Sequence, residues 1–365
     1  VGHIRTLLAI IVIISHTESF FGFNFLGGKI AVQAFYIISG FYMSLILNEK
    51  YIGANNSYKL FISNRLTRLY PIYWVTLFFI IISSIVLAII TKGNNFGLLK
   101  PYIDNYNLLS PISLCTFIFS NIFLVFQDVL LFFQVNLENG FLFFQPSFDK
   151  NSLNGFNFAL IPQAWTVALE ISFYLIAPFI VKRKASIIVV IFIFFISVKY
   201  YLKQYLGLNY TPWNFRFFPN ELPLFLLGAF SYKMYRSKLK VLFVRKNNIA
   251  VLLIITVFII IFDKLSFGFR NEIFFILFFI SIPFIFELSK KSKTDRYIGE
   301  LSYPLYITHM FIINVVNKSN FIFITKGITV IMLSIVISIL LKHLISDKIE
   351  IYRQGRLTKI SSSSN

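Results

Sequence analysis

Charge is scarce in this chain, and negative charge scarcest. Only 13% of its 365 residues are charged, and 15 Asp and Glu face 34 Lys and Arg. Soluble domains carry about twice that density of charge, so a water-soluble globular fold is excluded. Cysteine is nearly missing. Cys115 alone cannot form an internal disulfide, and a lone thiol among Ser, Leu and Thr reads as core filler rather than nucleophile. The chain also lacks a glycine-rich phosphate loop, Cys/His zinc spacing and a Gly-x-Ser-x-Gly elbow, so neither a P-loop enzyme nor a Ser-His-Asp hydrolase is supported, and no metal is expected. No repeat or inverted pair of the kind that marks many transporters is visible. No small-residue cleavage motif follows the first apolar stretch, so no cleavable signal peptide is expected.

Apolar and aromatic residues are what the chain has in excess. It is 57% hydrophobic and 19% aromatic, with mean hydropathy +0.75. Apolar runs fall at 6–23, 30–48, 70–91, 164–181, 185–202, 222–235, 248–262, 272–288, 303–318 and 324–345, near the roughly 20 residues a spanning helix needs. The sequence therefore predicts an all-α polytopic membrane protein of about ten transmembrane helices. The net charge of +19 is no sign of nucleic acid, because the basic residues sit in short loops beside these runs, where they set topology.

Those loops fix the count. With both termini cytoplasmic, ten crossings place the clusters at 182–184, 233–246 and 290–296 inside, together with Arg5, Arg65, Arg68 and the basic residues of 342–359. An eleventh run at 112–135 is broken by Asn121, Gln127 and Asp128. One crossing there would turn the later basic clusters outward, so this segment is expected to be non-crossing or re-entrant. The chain reads as one membrane domain, 1–348, and a cytoplasmic tail, 349–365, irregular from Ile360 onward. The long connection 92–163 is of the kind that is functional or disordered.

Ionisable groups inside spans are costly and are functional hypotheses by default. His16 follows Arg5 by eleven residues, which puts it about 16 Å further along the first span, near mid-bilayer. Glu170 lies about 9 Å below the outer edge of its span and His309 about 9 Å above the inner edge of its own. Each has a plain alternative: an interhelical hydrogen bond for either histidine, an arginine partner for Glu170. Glu18 is near enough to the outer boundary to be solvated. Arg65 and Arg68 are three apart, so on a helix both guanidinium groups share one face and can grip phosphate. As flanking basic residues beside Tyr70, Tyr73 and Trp74, they equally suit a topological role.

These pieces stand in a recognisable order. Arg5 and His16 come first, then Ala34-Phe35-Tyr36-Ile-Ile-Ser39-Gly40-Phe41, then Arg65-x-x-Arg68-x-x-Pro71. Trp165-Thr-x-x-x-Glu170-x-x-x-Tyr174 follows, and Gly299-x-x-Ser302-Tyr303-x-Leu-Tyr306-x-x-His309 closes the set. The set resembles the acyltransferase-3 family of integral membrane O-acyltransferases, in a stand-alone form without the fused extracytoplasmic hydrolase-like domain of some members. The resemblance implies transfer of an acyl group, commonly acetyl, from cytoplasmic acyl-CoA to a hydroxyl of a cell-surface or lipid-linked carbohydrate. It makes His16 the base or acyl relay, with Glu170 beside it in catalysis. Arg65 and Arg68 would hold the CoA phosphates, and Arg5 would support His16 or the donor. Ser39, Gly40, Trp165, Tyr303 and His309 would line the substrate site. Acyl-CoA, preferably acetyl-CoA, is then the donor, and the glycan and membrane lipid are the other partners. Lys29 and Gln33 stand where the family tends to small or apolar residues, and Asn64 where it often has a basic one.

Two rivals are carried forward. A carrier or flippase of lipid-linked saccharide would use the same buried groups as a path, without needing Arg65, Arg68 and His16 as a set. A polysaccharide polymerase would place its reactive groups on outward loops. A non-enzymatic scaffold would require neither His16 nor Glu170. The excess of Phe, Ile, Asn and Lys suits an AT-rich bacterial genome, and hence a bacterial inner membrane.

Overall fold

The computed structural model describes residues 1–51, 58–149, 152–319 and 321–362. In chain order its helices are α1 (Gly2–His16), α2 (Gly27–Glu49), α3 (Tyr58–Ile90), α4 (Lys100–Asp104), α5 (Pro111–Phe123), α6 (Trp165–Ile180), α7 (Ala185–Gln204), α8 (Phe218–Arg236), α9 (Arg245–Ile261), α10 (Arg270–Ser289), α11 (Lys293–Ser319), α12 (Lys326–Leu341) and α13 (Asp347–Ser362). Between α5 and α6 lies an unexpected antiparallel hairpin, β1 (Phe133–Val135) and β2 (Leu142–Phe144), in register Phe133↔Phe144. The fold is all-α and polytopic apart from this hairpin. Helices prevail because the bilayer core offers no water to satisfy backbone groups.

Among the described residues seven helices are long and apolar enough to cross a membrane. They match the runs 30–48, 70–91, 164–181, 185–202, 248–262, 272–288 and 324–345. The other three expected spans are helical too. However, α1 has only 15 residues, and α8 and α11 are long enough but too polar to qualify. The interior of α11 is buried at Leu301, Ser302 and from Pro304 to His309, so the polar groups there face protein rather than lipid.

The first span needs a correction. It was expected to run to residue 23 with His16 in its middle, yet α1 stops at His16. Phe20 and Phe23 exchange backbone hydrogen bonds of 3.0 Å across Phe21 and Gly22, whose φ angles are +50° and +79°. Gly22 adopts that left-handed turn without steric cost. The segment 112–135 proves short in helix: α5 has 13 residues, about 20 Å, and Leu124 at φ +57° ends it. In the tail, α13 continues helically to Ser362, past the point where irregular chain was expected, and Ser363 onward lies outside the described residues.

The chain forms two compact units. The first comprises Val1–Arg68, Phe173–Phe194 and Glu221–Asn365, and the second Leu69–Ser172 and Phe195–Asn220. The core seam of the first joins α1, α11 and α12 through Ala9, Ile13, Leu305, Ile312, Ile313, Val316 and Val330. These recur three, four and seven residues apart, the spacing that stacks side chains on one helix face. Where α2 crosses α8, a β-carbon on Gly40 would lie 1.9 Å from the Phe225 carbonyl oxygen. One on Gly228 would lie 2.0 Å from that of Ile37. Only glycine permits this approach.

Polar ties join the helix ends of the first unit. Arg356 bonds Ser63 and Asn64, Lys182 bonds the Tyr51 carbonyl, Lys233 that of Arg183, and Arg236 pairs with Glu49. All of these residues belong to ends that the charge pattern assigned to one side. A separate set, Glu18 with the Gly327 amide, Asn24 with Asp263 and Lys264 with the Gly22 carbonyl, joins ends assigned to the other.

The second unit is knit by Asn121 at the end of α5. Its amide donates to the carbonyls of Phe117 and Phe158 and to the Tyr102 hydroxyl, and its carbonyl accepts from the Leu160 amide. Phe117 stacks on Phe158 with ring centroids 4.2 Å apart, in a cluster with Leu109, Leu130 and Val135.

Candidate active site

The site begins with a coincidence of lengths. The Asp295 carboxylate accepts hydrogen bonds from the backbone amides of Gly2 and His3, at 2.8 and 3.0 Å, and from the His3 ring at 2.6 Å. Burial disfavours that charge, but the donors from His3 and Gly2 hold the carboxyl well below the usual range. Asp295 thereby satisfies amides that the first turn of α1 leaves without intrahelical partners. The two helices start level at this tie. Fourteen residues on from Gly2 stands His16, and fourteen on from Asp295 stands His309. Each helix rises about 21 Å over that distance, and the imidazole rings meet with centroids 5.3 Å apart.

Both rings are held in one tautomer. His16 Nδ1 lies 2.8 Å from the Val12 carbonyl and His309 Nδ1 2.5 Å from that of Tyr306. A carbonyl only accepts, so each Nδ1 donates its proton and each neutral ring keeps its lone pair on Nε2. His309 is completely buried, and its Nε2 has no hydrogen-bond partner among the described residues. His16 is exposed at the end of α1. One imidazole is thus reachable from outside the protein, and its neighbour is locked in the core behind it.

Arg65 supplies a second cluster. It is 4% exposed, and neither Nε nor Nη1 has a hydrogen-bond partner among the described residues. Arg68, one turn on, is half-buried. Arg5 and Arg68 both lie within electrostatic reach of the Tyr42 hydroxyl, as does Asp295, so the structure gathers the arginines of α1 and α3. Asn64 is buried, donates to the Tyr51 hydroxyl and accepts from Arg356. Where the resemblance often has a basic residue at this position, α13 brings one to it.

The remaining expected residues divide. Ser39 is buried on α2 and Tyr303 half-buried on α11. Gly40 serves the crossing with α8. Glu170 and Trp165 belong to the second unit. There the Arg216 guanidinium sits 4.6 Å from the Trp165 ring and 4.6 Å from Phe156. Trp165 is only 5% exposed, so it seats a cation rather than offering an open face for stacking. Glu18 is exposed, and hydrogen bonding from the Gly327 amide lowers its pKa, in keeping with the solvated reading.

Comparison with known proteins decides the class. The model of the acyltransferase-3 family, described as an acyltransferase domain, matches residues 1–343. The chain belongs to this family. An uncharacterized protein of Aquifex aeolicus (strain VF5) is 28% identical over 200 residues, covering 52% of this chain and 86% of that protein. No solved structure matches.

As a membrane acyltransferase of the acyltransferase-3 family, the chain carries two chemically distinct places. The histidine pair can move a proton, and the arginine cluster can hold an anion. Sequence reasoning missed three residues that the structure ties to them or to the helices around them. Asp295 sets the level of both histidines. Glu221, fully buried in α8, accepts from Gln33 Nε2 at 2.8 and 3.2 Å, which accounts for a polar residue at position 33. A carboxylate one residue before the apolar run 222–235 was the available signal. Arg353 of α13 carried no signal, because only the folded chain brings it near Arg65.

Proposed function

We propose that this acyltransferase moves an acyl group, acetyl in the simplest case, from acyl-CoA to a carbohydrate hydroxyl at the membrane, with His16 as base or acyl relay. The observation that carries the reading is the Nδ1–H of His16 on the Val12 carbonyl, which leaves Nε2 free beside His309. In direct transfer the sugar oxygen attacks the thioester carbonyl carbon while Nε2 takes its proton. The carbon–sulfur bond breaks, and the leaving CoA thiolate recovers the proton from the imidazolium, giving ester and CoA thiol. In the relay form Nε2 attacks the thioester carbonyl carbon and the carbon–sulfur bond breaks to release CoA thiolate. The sugar hydroxyl then attacks the acyl carbon, the bond to Nε2 breaks, and the hydroxyl proton passes to the thiolate. Arg5, Arg65 and Arg68 are assigned to the donor. The thioester stands at the opposite end of the pantetheine arm from the phosphates, so a donor anchored at the arginine end presents its acyl group deeper along α1. Glu170 is assigned to orienting the acceptor. The bacterial inner membrane is the proposed location, with both termini and the arginine end cytoplasmic.

The test is transfer from radiolabelled acetyl-CoA to envelope glycan in membranes holding the native chain or His16→Ala at matched amounts. Label with the native chain and none with the variant supports the reading. Equal label from both removes His16 from the chemistry. No label from either, with longer acyl-CoAs also silent, favours the saccharide carrier.

A further inference from the structure

The helix α13 lies beyond the residues of the family match, yet it packs its cations against α3. Arg356 donates through Nη1 to the Asn64 side-chain oxygen Oδ1 at 3.0 Å and through Nη2 to the Ser63 hydroxyl at 2.8 Å. These bonds dock the helix one turn from Arg353. Arg353 is 8% exposed, and its Nε has no hydrogen-bond partner among the described residues. Arg65 and Arg68 both lie within electrostatic reach of it and repel it. The carboxylate bonded to Arg353 is Glu350, at 2.5 Å, and Glu350 also accepts from Gln354. Two guanidinium groups are therefore each more than nine-tenths buried, near one another, with donors unspent. Like charges desolvated together are costly. An anion with several acceptor oxygens would offset that cost and use the idle donors.

We infer that Arg353 completes, with Arg65 and Arg68, a site for the phosphate groups of the CoA donor, so that α13 is part of donor binding rather than a tail. This rests on the donor reading above. Arg353 competes between Glu350 and the phosphate, which makes Glu350 a brake on donor affinity. The chemistry predicts opposite effects of two neighbouring substitutions, and a donor without phosphates separates binding from folding.

The experiment uses the full chain in lipid nanodiscs. CoA binding is measured by calorimetry, and transfer is measured from acetyl-CoA and from acetyl-pantetheine, which has no phosphate. Arg353→Gln is expected to weaken CoA binding and raise the KM for acetyl-CoA about tenfold or more, the scale of one lost charge-assisted hydrogen bond. Its turnover of acetyl-pantetheine stays native. Glu350→Gln is expected to tighten CoA binding, so the proposal stays testable should Arg353→Gln fail to fold. Unchanged CoA affinity in both variants overturns the inference, as does an equal loss with both donors, which would give Arg353 a purely structural role. If Arg65→Gln weakens CoA binding while Arg353→Gln does not, only this inference falls. If the native chain binds CoA with the expected dependence on Arg353 but transfers no acyl group, the site stands and the proposed reaction falls.

Discussion

Two buried polar sites, one in each unit, are treated in opposite ways. In the second unit Asn121 uses both ends of its amide, with three acceptors for its nitrogen and a donor for its carbonyl, and closes three stretches of chain into a scaffold. In the first unit His309 Nε2 and two nitrogens of Arg65 are buried with nothing to bond among the described residues. An unsatisfied buried group costs about 1–3 kcal/mol, a cost natural proteins seldom carry without a use for it. The contrast separates groups that hold the fold from groups kept ready for a ligand or a proton. It predicts that substitution of Asn121 registers as lost stability, and substitution at the histidine pair or the arginine cluster as lost chemistry.

The largest expected effect breaks the pairing of imidazoles. His16→Ala lowers transfer by about 10²- to 10⁴-fold, the usual worth of a positioned base. Because His16 is exposed at a helix end, the variant keeps its thermal unfolding midpoint within a few degrees. Loss of folding together with activity would show that the histidine holds helices together instead. Next in size is the small-residue crossing of α2 and α8. Gly40→Val drives a β-carbon into the Phe225 carbonyl, only 1.9 Å away, and is expected to cost about 3 kcal/mol or more. Yield of folded protein in detergent measures it, and a native yield would remove the argument that Gly40 is there for packing.

How far the sequence carried these contrasts depends on whether a feature was local. Seven spans were legible because each holds a long apolar stretch, as α7 does over residues 185–198. Where a helix carries buried polar groups the pattern weakens: α11 was expected as the run 303–318, yet with Thr308, His309 and Asn314 it falls short of a spanning helix by hydropathy. The end of α1 was misjudged because Phe20, Phe21 and Phe23 are as apolar in a turn as in a helix. His16 and His309 were found singly from their cost in the bilayer, but their meeting depends on Asp295 joining two helix starts across 293 residues of sequence. Arg65 was legible as a charge beside a span, and its burial was not. No local pattern connects α13 to α3.

Sharpening the contrast from the scaffold side, Asn121→Leu removes the donor and acceptor that join α5 to the chain at 158–160. The Phe158 carbonyl keeps the Tyr102 hydroxyl at 2.8 Å, while the buried Leu160 amide loses its bond to Asn121. The expected loss is about 2–3 kcal/mol, seen as a lower unfolding midpoint in detergent. Turnover per folded molecule should match the native chain. A fall in specific activity larger than the fall in folded fraction would draw Asn121 into the chemistry.

The last effect, of similar size but present only above a pH threshold, concerns Asp128, which follows α5 in the same unit and is 8% exposed. Burial lifts its carboxyl pKa from 3.8 to about 6, against hydrogen bonds from its own amide and that of Val129, which favour the charge. Below about pH 4 the group is protonated in the folded and unfolded chain alike, and contributes no difference. Between about pH 4 and 6 the folded chain retains a proton that the unfolded chain releases, so stability falls as pH rises through that window. Above about pH 6 the whole loss is present, about 2–3 kcal/mol for a shift of this size. Asp128→Asn removes the ionisation, so it should match the native chain at pH 4 and exceed it in thermal unfolding midpoint at pH 7 and above. A constant difference across that range would mean that the carboxylate is solvated in place. Asp128 would then join neither the satisfied groups nor the poised ones.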